Sequence, residues 1–356
     1  MVVLMKKILF VASAPSHITN FHTPYINELK NAGYTVHTFT EGFKKSGGLY
    51  KNITVLIRLI KLIRREKYCI VSTHATLAGF LGRLAVLLAR CKARVLHTAH
   101  GYLFDDNGSF WSRLMILAEK LFASRTNVLF VMNKEDYAIA RKYRLCKSIE
   151  FINGLGLDIG KLKTYSADEI ERVKEKYKIP QGKKYLLCVG EFSKRKNQEC
   201  VLRAFRALCD DSFESGYIGH YHMIFLGCGV LYERCKVLCD ELGLAGRVTF
   251  CGHVDETGCF YQTAHCVLSA SRYEGLPFNV MEALYYGKPV IASDVKGNKD
   301  LIKDGFNGYL YGYGDYVRLS ELFDKIPDIN PANVFLDDKY MLCNVKGKIM
   351  AFYTGL

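Results

Sequence analysis

Short apolar runs alternate with longer segments of helical periodicity along most of this sequence. Short runs bounded by polar residues or glycine are typical of strands buried on both faces, and the longer segments repeat apolar residues every three or four positions. This alternation predicts an α/β chain with parallel sheets. The predicted strands comprise residues 8–12, 35–39, 69–73, 94–99, 127–132, 149–152, 185–189, 222–226, 248–250, 265–269 and 289–292.

The alternating pattern divides near Lys163. Residues 165–182 are charged, have helical spacing without a strand, and end in a turn of proline, glutamine and glycine. A chain of 356 residues is also too long for one small core. We therefore predict an N-terminal domain of residues 1–163 and a C-terminal domain of residues 164–356.

A helix with marked ends lies between the last two predicted strands. Pro277 suits a first helical turn and Gly287 suits the stop, so the helix is predicted to span residues 277–286. A helix that begins at the carboxyl end of a parallel strand presents its first amides and the positive end of its dipole to an anion. A phosphate or diphosphate is thus expected beside Gly275, Leu276, Pro277 and Phe278.

Two glutamates accompany this predicted anion site. Glu274 lies just before the helix and Glu282 lies within it. Carboxylates beside a phosphate site are useful when they accept hydrogen bonds from sugar hydroxyls, and a nucleotide sugar carries both groups. The ordinary alternative is a loop and a helix with two solvated acids, because two glutamates eight positions apart are weak evidence alone.

A second set of phosphate-binding features follows the strand predicted at residues 185–189. Gly190 leaves that strand, and three consecutive cations precede the next helix, which is an arrangement suited to a phosphate. These cations are Lys194, Arg195 and Lys196. Gly227 and Gly229 follow the next strand and fit a loop that approaches a nucleotide, although Gly-x-Gly is a weak motif by itself.

The stretch at residues 271–294 resembles the Glu-x7-Glu signature of retaining glycosyltransferases of family 4, including its Glu-Gly-Leu-Pro and Gly-x-Pro-Val-Ile-Ala-Ser surroundings. The resemblance implies the GT-B fold, in which two Rossmann-like parallel-sheet domains face a cleft and a final helix returns from the end of the C-terminal domain to the first domain. It also implies that Glu274 contacts the donor sugar, that Glu282 binds the ribose, and that Lys196 binds the diphosphate. The family's arginine is replaced by Glu191, so the second cation would have to be Arg195 or Lys194.

Polar residues also follow strands of the predicted N-terminal domain. Ser16 and His17 lie in a loop predicted at residues 13–21, and His100 follows the fourth strand. The Ser-His-Ile-Thr-Asn-Phe-His segment resembles a subgroup of bacterial exopolysaccharide and capsule glycosyltransferases. The resemblance implies that His100 lies near the donor sugar, and we expect the acceptor to enter near Ser16, His17 and His100. A helix-capping His17 and a merely structural His100 are the alternatives.

The net charge of +14 predicts attraction to anions, which include nucleotide diphosphates, anionic lipids and nucleic acids. Residues 44–67 hold eight basic residues and one acid and have helical apolar spacing. An ordinary crossover helix with a solvated face and a helix that contacts a membrane surface both fit this segment. Nucleic-acid binding is not expected, because the cations do not interleave with aromatic residues in one stripe.

Thirteen cysteines without a Cys-x-x-Cys pair indicate reduced core residues of a cytosolic protein rather than a zinc site or a disulfide framework. The apolar run after Lys7 is short for a signal peptide and matches a first strand. The apolar segment 77–91 carries two arginines and is too short to span a membrane, so a buried helix is expected. The expected location is cytoplasmic, with peripheral contact to the inner face of the cell membrane.

Together these features predict a retaining transferase that moves a sugar from a nucleotide-diphosphate donor, expected to be a UDP-sugar, to a lipid-linked glycan acceptor in cell-surface polysaccharide synthesis. Lys196, Arg195 and the helix amides would stabilise the leaving diphosphate. Since the sequence has no Asp-x-Asp motif, we predict no required metal and no cofactor. A nucleotide-sugar epimerase of similar architecture and a non-catalytic basic protein that binds membranes or nucleic acids remain as alternatives.

Overall fold

A computed structural model describes residues 6–43, 48–215 and 220–355 of the chain. The chain divides into two compact units, of which the first is Met1–Gly156 with Leu342–Leu356 and the second is Leu157–Met341. This division lies seven residues before the boundary predicted at Lys163. It places the last helix with the first unit, as the family resemblance implied.

From Leu157 onward, the backbone forms hydrogen bonds with residues of the second unit. The Leu157 N–H donates to the Tyr340 carbonyl at 2.8 Å. Six residues later, the Tyr286 hydroxyl donates to the Lys163 carbonyl at 2.8 Å, and the Tyr165 N–H donates to the Gln262 side chain at 2.7 Å. Hydrogen bonds thus tie Leu157, Lys163 and Tyr165 to the second unit.

Each unit is built on a parallel sheet. Within the described residues, the strands of the first unit are β1 (Lys7–Val11), β2 (Thr35–Phe39), β3 (Ile70–His74), β4 (Arg94–Thr98), β5 (Val128–Val131) and β6 (Ile149–Phe151). Those of the second unit are β7 (Lys184–Val189), β8 (Tyr221–Leu226), β9 (Val248–Gly252), β10 (Ala264–Ser269), β11 (Val290–Ser293) and β12 (Gly308–Tyr311). The strand orders are β2-β1-β3-β4-β5-β6 and β12-β11-β10-β7-β8-β9. The predicted α/β class and strands are confirmed, with ends that agree to within two residues.

Helices connect these strands in both units. In the part of the chain that the structure describes they are α1 (Pro15–Phe21), α2 (Thr23–Asn31), α3 (Leu49–Glu66), α4 (Thr76–Leu88), α5 (Phe110–Lys120), α6 (Lys134–Tyr143), α7 (Ala167–Lys176), α8 (Gln198–Ser215), α9 (Tyr232–Glu241), α10 (Thr257–Thr263), α11 (Phe278–Tyr285), α12 (Asn298–Leu301), α13 (Tyr316–Leu322) and α14 (Leu342–Thr354). Short 3-10 segments occupy Ile159–Lys161, Phe323–Asp328, Pro331–Asn333 and Asp338–Tyr340.

Helix α14 completes the core of the first unit, although it lies at the far end of the sequence. The Tyr353 ring stacks on the Phe10 ring of β1 with centroids 5.6 Å apart, and its hydroxyl lies 2.5 Å from the Ser72 hydroxyl of β3. The Phe352 ring contacts the Phe130 ring of β5 edge-on at 5.3 Å. One face of the first sheet is therefore covered by the last helix of the chain.

The prediction of a loop at residues 13–21 was wrong, because α1 (Pro15–Phe21) occupies most of this segment. Pro15 stands in the first turn of this helix, where its missing N–H has no intrahelical partner to lose. His22 then ends α1 by donating its N–H to the Ile18 carbonyl, and its own carbonyl accepts from the Ile26 N–H of α2. The backbone on both sides of His22 is thus fixed by helix hydrogen bonds.

Helix α3 is the predicted amphipathic crossover helix. Val55, Leu59 and Ile63 are buried against the sheet and α4, whereas Arg58 is exposed. Residues 44–47 of the predicted basic segment lie outside the described residues. Helix α4 is the predicted buried helix, and none of the described helices is long and apolar enough to cross a membrane.

A buried ion pair joins α4 to α5. The Arg83 guanidinium donates two hydrogen bonds of 2.8 Å to the two carboxylate oxygens of Glu119, and a third to the Gly79 carbonyl at 3.1 Å. Arg83 also lies over the Phe122 ring at 4.9 Å. Burial alone would raise the pKa of Glu119, but the Arg83 charge holds that pKa below its usual range. This pairing explains how an arginine is accommodated in a buried helix.

We expect Glu119→Ala to lower the free energy of unfolding by about 3–5 kcal/mol, because it leaves the Arg83 charge buried without a partner. Equilibrium urea unfolding followed by circular dichroism measures the change. The control is Glu41→Ala, which removes an exposed ion pair of 3.6 Å with Arg58 and should cost less than about 1 kcal/mol. Equal losses in the two variants would contradict the buried pair.

Candidate functional site

The residues singled out by the sequence gather at two places, one in each unit, and both places lie at the carboxyl ends of parallel strands. In the second unit they surround the start of α11. In the first unit they surround the residues that follow β1, β3 and β4.

An ion-pair cluster forms before α11. Arg195 donates from one guanidinium nitrogen to both carboxylate oxygens of Glu274, at 2.8 Å each, and the Lys196 ammonium lies 2.7 Å from one of those oxygens. Arg195 and Lys196 follow β7, whereas Glu274 follows β10, which pairs with β7. Adjacent parallel strands thus bring together three residues that are far apart in sequence.

Glu274 is ionised in this cluster although it is buried. Burial would raise its pKa, but the charges of Lys196 and Arg195 outweigh burial and hold the pKa below its usual range. With two cations and one carboxylate, the cluster carries a net charge of about +1. It therefore still attracts an anion.

The structure also distinguishes Arg195 from its neighbours. Lys194 and Glu191 are exposed, whereas Arg195 is half-buried against Glu274. The Lys196 side chain passes over Gly190, where an added Cβ would lie 3.3 Å from Lys196 Cε. Arg195, rather than Lys194, is thus placed as the second cation beside Lys196.

Glu282 has a different environment on α11. Its carboxylate accepts a hydrogen bond of 2.7 Å from the Tyr261 hydroxyl, and Tyr261 itself is completely buried and stacks on Tyr286. Burial raises the pKa of Glu282, and the Tyr261 hydrogen bond and the Lys196 charge only partly offset this. Sequence reasoning missed Tyr261 because an aromatic residue on a short helix looks like ordinary core.

The predicted start of α11 is confirmed to within one residue. Pro277 is its N-cap and Phe278 its first residue, while Leu276 is buried. Asn279, another residue that sequence reasoning missed, donates from its amide to the Val189 carbonyl at 3.1 Å. This hydrogen bond ties the first turn of α11 to the end of β7, from which Lys196 follows.

The predicted glycines allow backbone segments to touch. A Cβ at Gly227 would lie 2.1 Å from the Gly190 carbonyl oxygen, and a Cβ at Gly229 would lie 2.3 Å from the Phe192 carbonyl oxygen. Gly275 is approached similarly, since a Cβ at Gly297 would lie 2.7 Å from its carbonyl oxygen. Close packing of the loops after β7 and β8 therefore accounts for Gly190, Gly227 and Gly229 without a ligand.

In the first unit, four histidines lie together. His17 of α1 packs on His100 with ring centroids 4.4 Å apart, and His22 packs on His74 at 3.9 Å. Ser16 is exposed beside them. His22 and His74 were not predicted, because a histidine at a helix junction and another at a strand end carry no signal of their own.

Burial keeps these histidines uncharged. It lowers the pKa of His17 to about 4, and it lowers the pKa values of His22, His74 and His100 well below the usual range, with the neighbouring histidines lowering them further. At neutral pH each ring therefore offers a nitrogen lone pair rather than a positive charge.

Family comparisons cover both units. Residues 22–153 match the family described as glycosyltransferase family 4, and residues 169–333 match glycosyl transferases group 1. A Bacillus subtilis (strain 168) relative named putative glycosyltransferase EpsD is 30% identical over 343 residues, which cover 90% of this chain and 88% of the relative. An Escherichia coli relative named UDP-Gal:alpha-D-GlcNAc-diphosphoundecaprenol alpha-1,3-galactosyltransferase is 27% identical over 292 residues, covering 80% of this chain and 73% of the relative.

Solved structures share the fold at low sequence identity. Anabaena HepE in complex with UDP-glucose matches with a TM-score of 0.75 and 17% identity, over 98% of this chain and 100% of that one. Sucrose-phosphate synthase from Thermosynechococcus elongatus matches with a TM-score of 0.73 and 19% identity, over 98% and 97% of the two chains.

Glu274 has two cationic partners, whereas Glu282 has only a hydroxyl partner and a more distant charge. We therefore predict that neutralising Glu282 increases the free energy of unfolding. Because burial raises the Glu282 pKa, the folded protein loses stability as the pH rises from the ordinary glutamate pKa of 4.5 through the raised value. Glu282→Gln removes this loss and keeps an acceptor for Tyr261. We expect the variant to be more stable at pH 8, within the ~0.5–2 kcal/mol typical of a stabilising change, and the difference to shrink towards pH 5.

Urea unfolding at the two pH values measures this difference. The control is Glu241→Gln, whose exposed carboxylate lies 3.6 Å from Arg234 and should give no pH-dependent gain. A Glu282→Gln variant that is destabilised equally at both pH values would contradict the raised pKa.

Proposed function

This chain belongs to the glycosyltransferases of group 1 and family 4, with the GT-B fold, and from that premise we propose that it transfers a sugar from a UDP-sugar to a lipid-linked glycan acceptor. Transferase activity in polysaccharide synthesis replaces the two alternatives raised from the sequence, an epimerase and a non-catalytic binding protein. The observation that carries the proposal is the cluster of Glu274, Arg195 and Lys196 before α11.

The cluster suits a departing nucleoside diphosphate. Negative charge grows on the diphosphate as the bond to the sugar breaks, so fixed positive charge nearby lowers the barrier. Lys196 and Arg195 supply that charge, and the N-terminus of α11 adds about half a positive charge. We propose that these groups, rather than a metal ion, stabilise the leaving group, and that the reaction retains the anomeric configuration.

The two glutamates are proposed to hold different parts of the donor. Glu274 is ionised and fixed by its cations, which suits a contact to the hydroxyls of the transferred sugar. Glu282 lies in the second turn of α11, where Tyr261 holds it, and suits the ribose hydroxyls. His100, His17 and Ser16 of the first unit are proposed to bind the acceptor side of the reaction.

The relatives support the choice of donor and acceptor. The name of the E. coli relative specifies UDP-Gal as donor and a diphosphoundecaprenol-linked sugar as acceptor. A Campylobacter jejuni relative, 30% identical over 142 residues, is likewise named for an acceptor on undecaprenol diphosphate. Crystals of the Anabaena neighbour contain UDP-glucose.

A lipid-linked acceptor requires access to a membrane, and the first unit offers a suitable surface. Helix α5 exposes an apolar stripe whose members are Phe110, Trp111, Leu114, Leu117 and Leu121. Arg113 and Lys120 are exposed on the same helix, and α3, which packs against α4, carries exposed cations such as Arg58 and Arg65. Aromatic and leucine side chains with flanking cations are typical of helices at anionic lipid surfaces. We propose that α5, assisted by α3, contacts the cytoplasmic leaflet.

The leaving-group role is tested by Lys196→Ala and Arg195→Ala. We expect either change to lower kcat for transfer from the accepted UDP-sugar by about 100- to 1,000-fold, because each removes a charge aimed at the diphosphate. Lys194→Ala should keep the wild-type rate, since Lys194 is exposed and outside the cluster. Rates are measured by release of UDP with an undecaprenyl-diphosphate-linked sugar as acceptor.

A thermal-shift screen with UDP-, GDP- and ADP-sugars accompanies these rates. Stabilisation by the UDP-sugar alone, lost in Glu282→Ala, is the expected result. Stabilisation by GDP- or ADP-sugars would overturn the donor assignment, and full activity of Lys196→Ala would overturn the role of the cluster.

Membrane contact is tested with vesicles that contain phosphatidylglycerol. The double change Trp111→Ser with Leu117→Ser should weaken vesicle binding by at least about tenfold, because two large apolar side chains no longer enter the lipid. A matched control is Val237→Ser with Phe335→Ser, which removes exposed apolar side chains of the second unit. Equal binding by the two double variants would contradict contact through α5.

A further inference from the structure

Four histidines converge at one edge of the first sheet, yet the proposed transfer uses only two of them. The strands β1, β3 and β4 are neighbours in the sheet, and their carboxyl ends lead to α1, to His74 and to His100. His22 lies at the junction of α1 and α2. Three adjacent parallel strands thus deliver four imidazoles to one place.

Several of these ring nitrogens are buried without a hydrogen bond. Nε2 of His17, His22 and His100 and Nδ1 of His74 have no partner among the residues that the structure describes. His22 and His74 are only 2% and 1% exposed, so bulk water does not reach their rings. Leaving a buried polar atom unsatisfied is costly, so four in one cluster require a physical reason.

The spacing of three of the rings fits a metal ion. One nitrogen each from His17, His22 and His100 lies within 4.8 Å of the others. Tetrahedral Zn²⁺ with Zn–N bonds of about 2.0–2.1 Å holds its nitrogens roughly 3.3 Å apart. On metal binding the three rings would approach one another by side-chain rotation, about backbone positions that the α1–α2 junction and the end of β4 fix.

We propose that His17, His22 and His100 bind a divalent transition-metal ion through their imidazole nitrogens and leave a fourth position for an oxygen ligand. Imidazole is a preferred ligand of zinc and related metals, and three protein ligands with an open position are typical of sites where the metal also binds water or a substrate oxygen. His17 and His100 are partly exposed, which gives the ion a path from solvent.

His74 is a positioning residue in this arrangement. Its Nε2 lies 3.0 Å from the Ser72 hydroxyl, which in turn lies 2.5 Å from the Tyr353 hydroxyl. The ring so held packs against His22 at 3.9 Å and limits the rotation of that ligand.

A metal suits the cluster better than a phosphate does. A phosphate site requires arginine or lysine beside the anion, whereas the rings of His17, His22 and His100 pack on one another and on His74. This site does not depend on the proposed transfer reaction, since metal binding is measured directly.

The test is a Co²⁺ titration of the full chain after treatment with a chelator. The expected result is one ion per chain with visible absorption bands of tetrahedral Co²⁺, which Zn²⁺ abolishes by displacement. His17→Gln and His100→Gln should each weaken Co²⁺ binding by at least about tenfold. His37→Gln is the control, because its ring bonds to the Tyr68 hydroxyl outside the cluster, and it should bind Co²⁺ as the wild type does.

Three outcomes would overturn the site. The first is the absence of visible bands at micromolar Co²⁺. The second is near-ultraviolet thiolate-to-cobalt absorption that persists in His17→Gln, which would assign the ion to exposed cysteines such as Cys228 and Cys343. The third is stabilisation by inorganic pyrophosphate that is lost in His17→Gln, without any stabilisation by Zn²⁺, which would make the cluster an anion site.

Discussion

Parallel strand pairing is the constraint on which both sites depend. A parallel sheet requires a crossover after every strand, so all of its strands end at the same edge, and the following loops and helix starts gather there. In the second unit this edge joins the cations after β7 to Glu274 after β10. In the first unit it joins the histidines that follow β1, β3 and β4. Residues far apart in sequence therefore come together although the loops that carry them are short.

The pKa values of the two glutamates of the second unit shift in opposite directions although both are buried, because their partners differ. Glu274 lies between two cations, which overcome burial and keep it charged. Glu282 faces the hydroxyl of Tyr261, which is a weaker partner for a buried carboxylate. A carboxylate that opposes folding in this way is consistent with selection for ligand contact rather than for stability.

The elements could be predicted because apolar periodicity is a local property of the sequence. The start of α11 near Pro277 and its end near Gly287 could also be predicted, because proline and glycine at helix ends are local signals too. Contacts between distant segments could not be predicted from local patterns. Arg195, rather than Lys194, lies against Glu274, and this depends on the path of the loop after β7. The sequence did not single out Tyr261, His22 and His74, because each looks like an ordinary buried residue. Only the fold shows which groups surround their polar atoms.

Helix α14 belongs to the first unit but is synthesised after the second unit, and this delays completion of the first unit's core. The aromatic rings of α14 cover β1 and β5, but the ribosome synthesises this helix only after all of Leu157–Met341. At about 5–20 residues per second, the nascent first unit waits roughly 10–40 s with that face of its sheet uncovered. Throughout this interval a chaperone has access to the face.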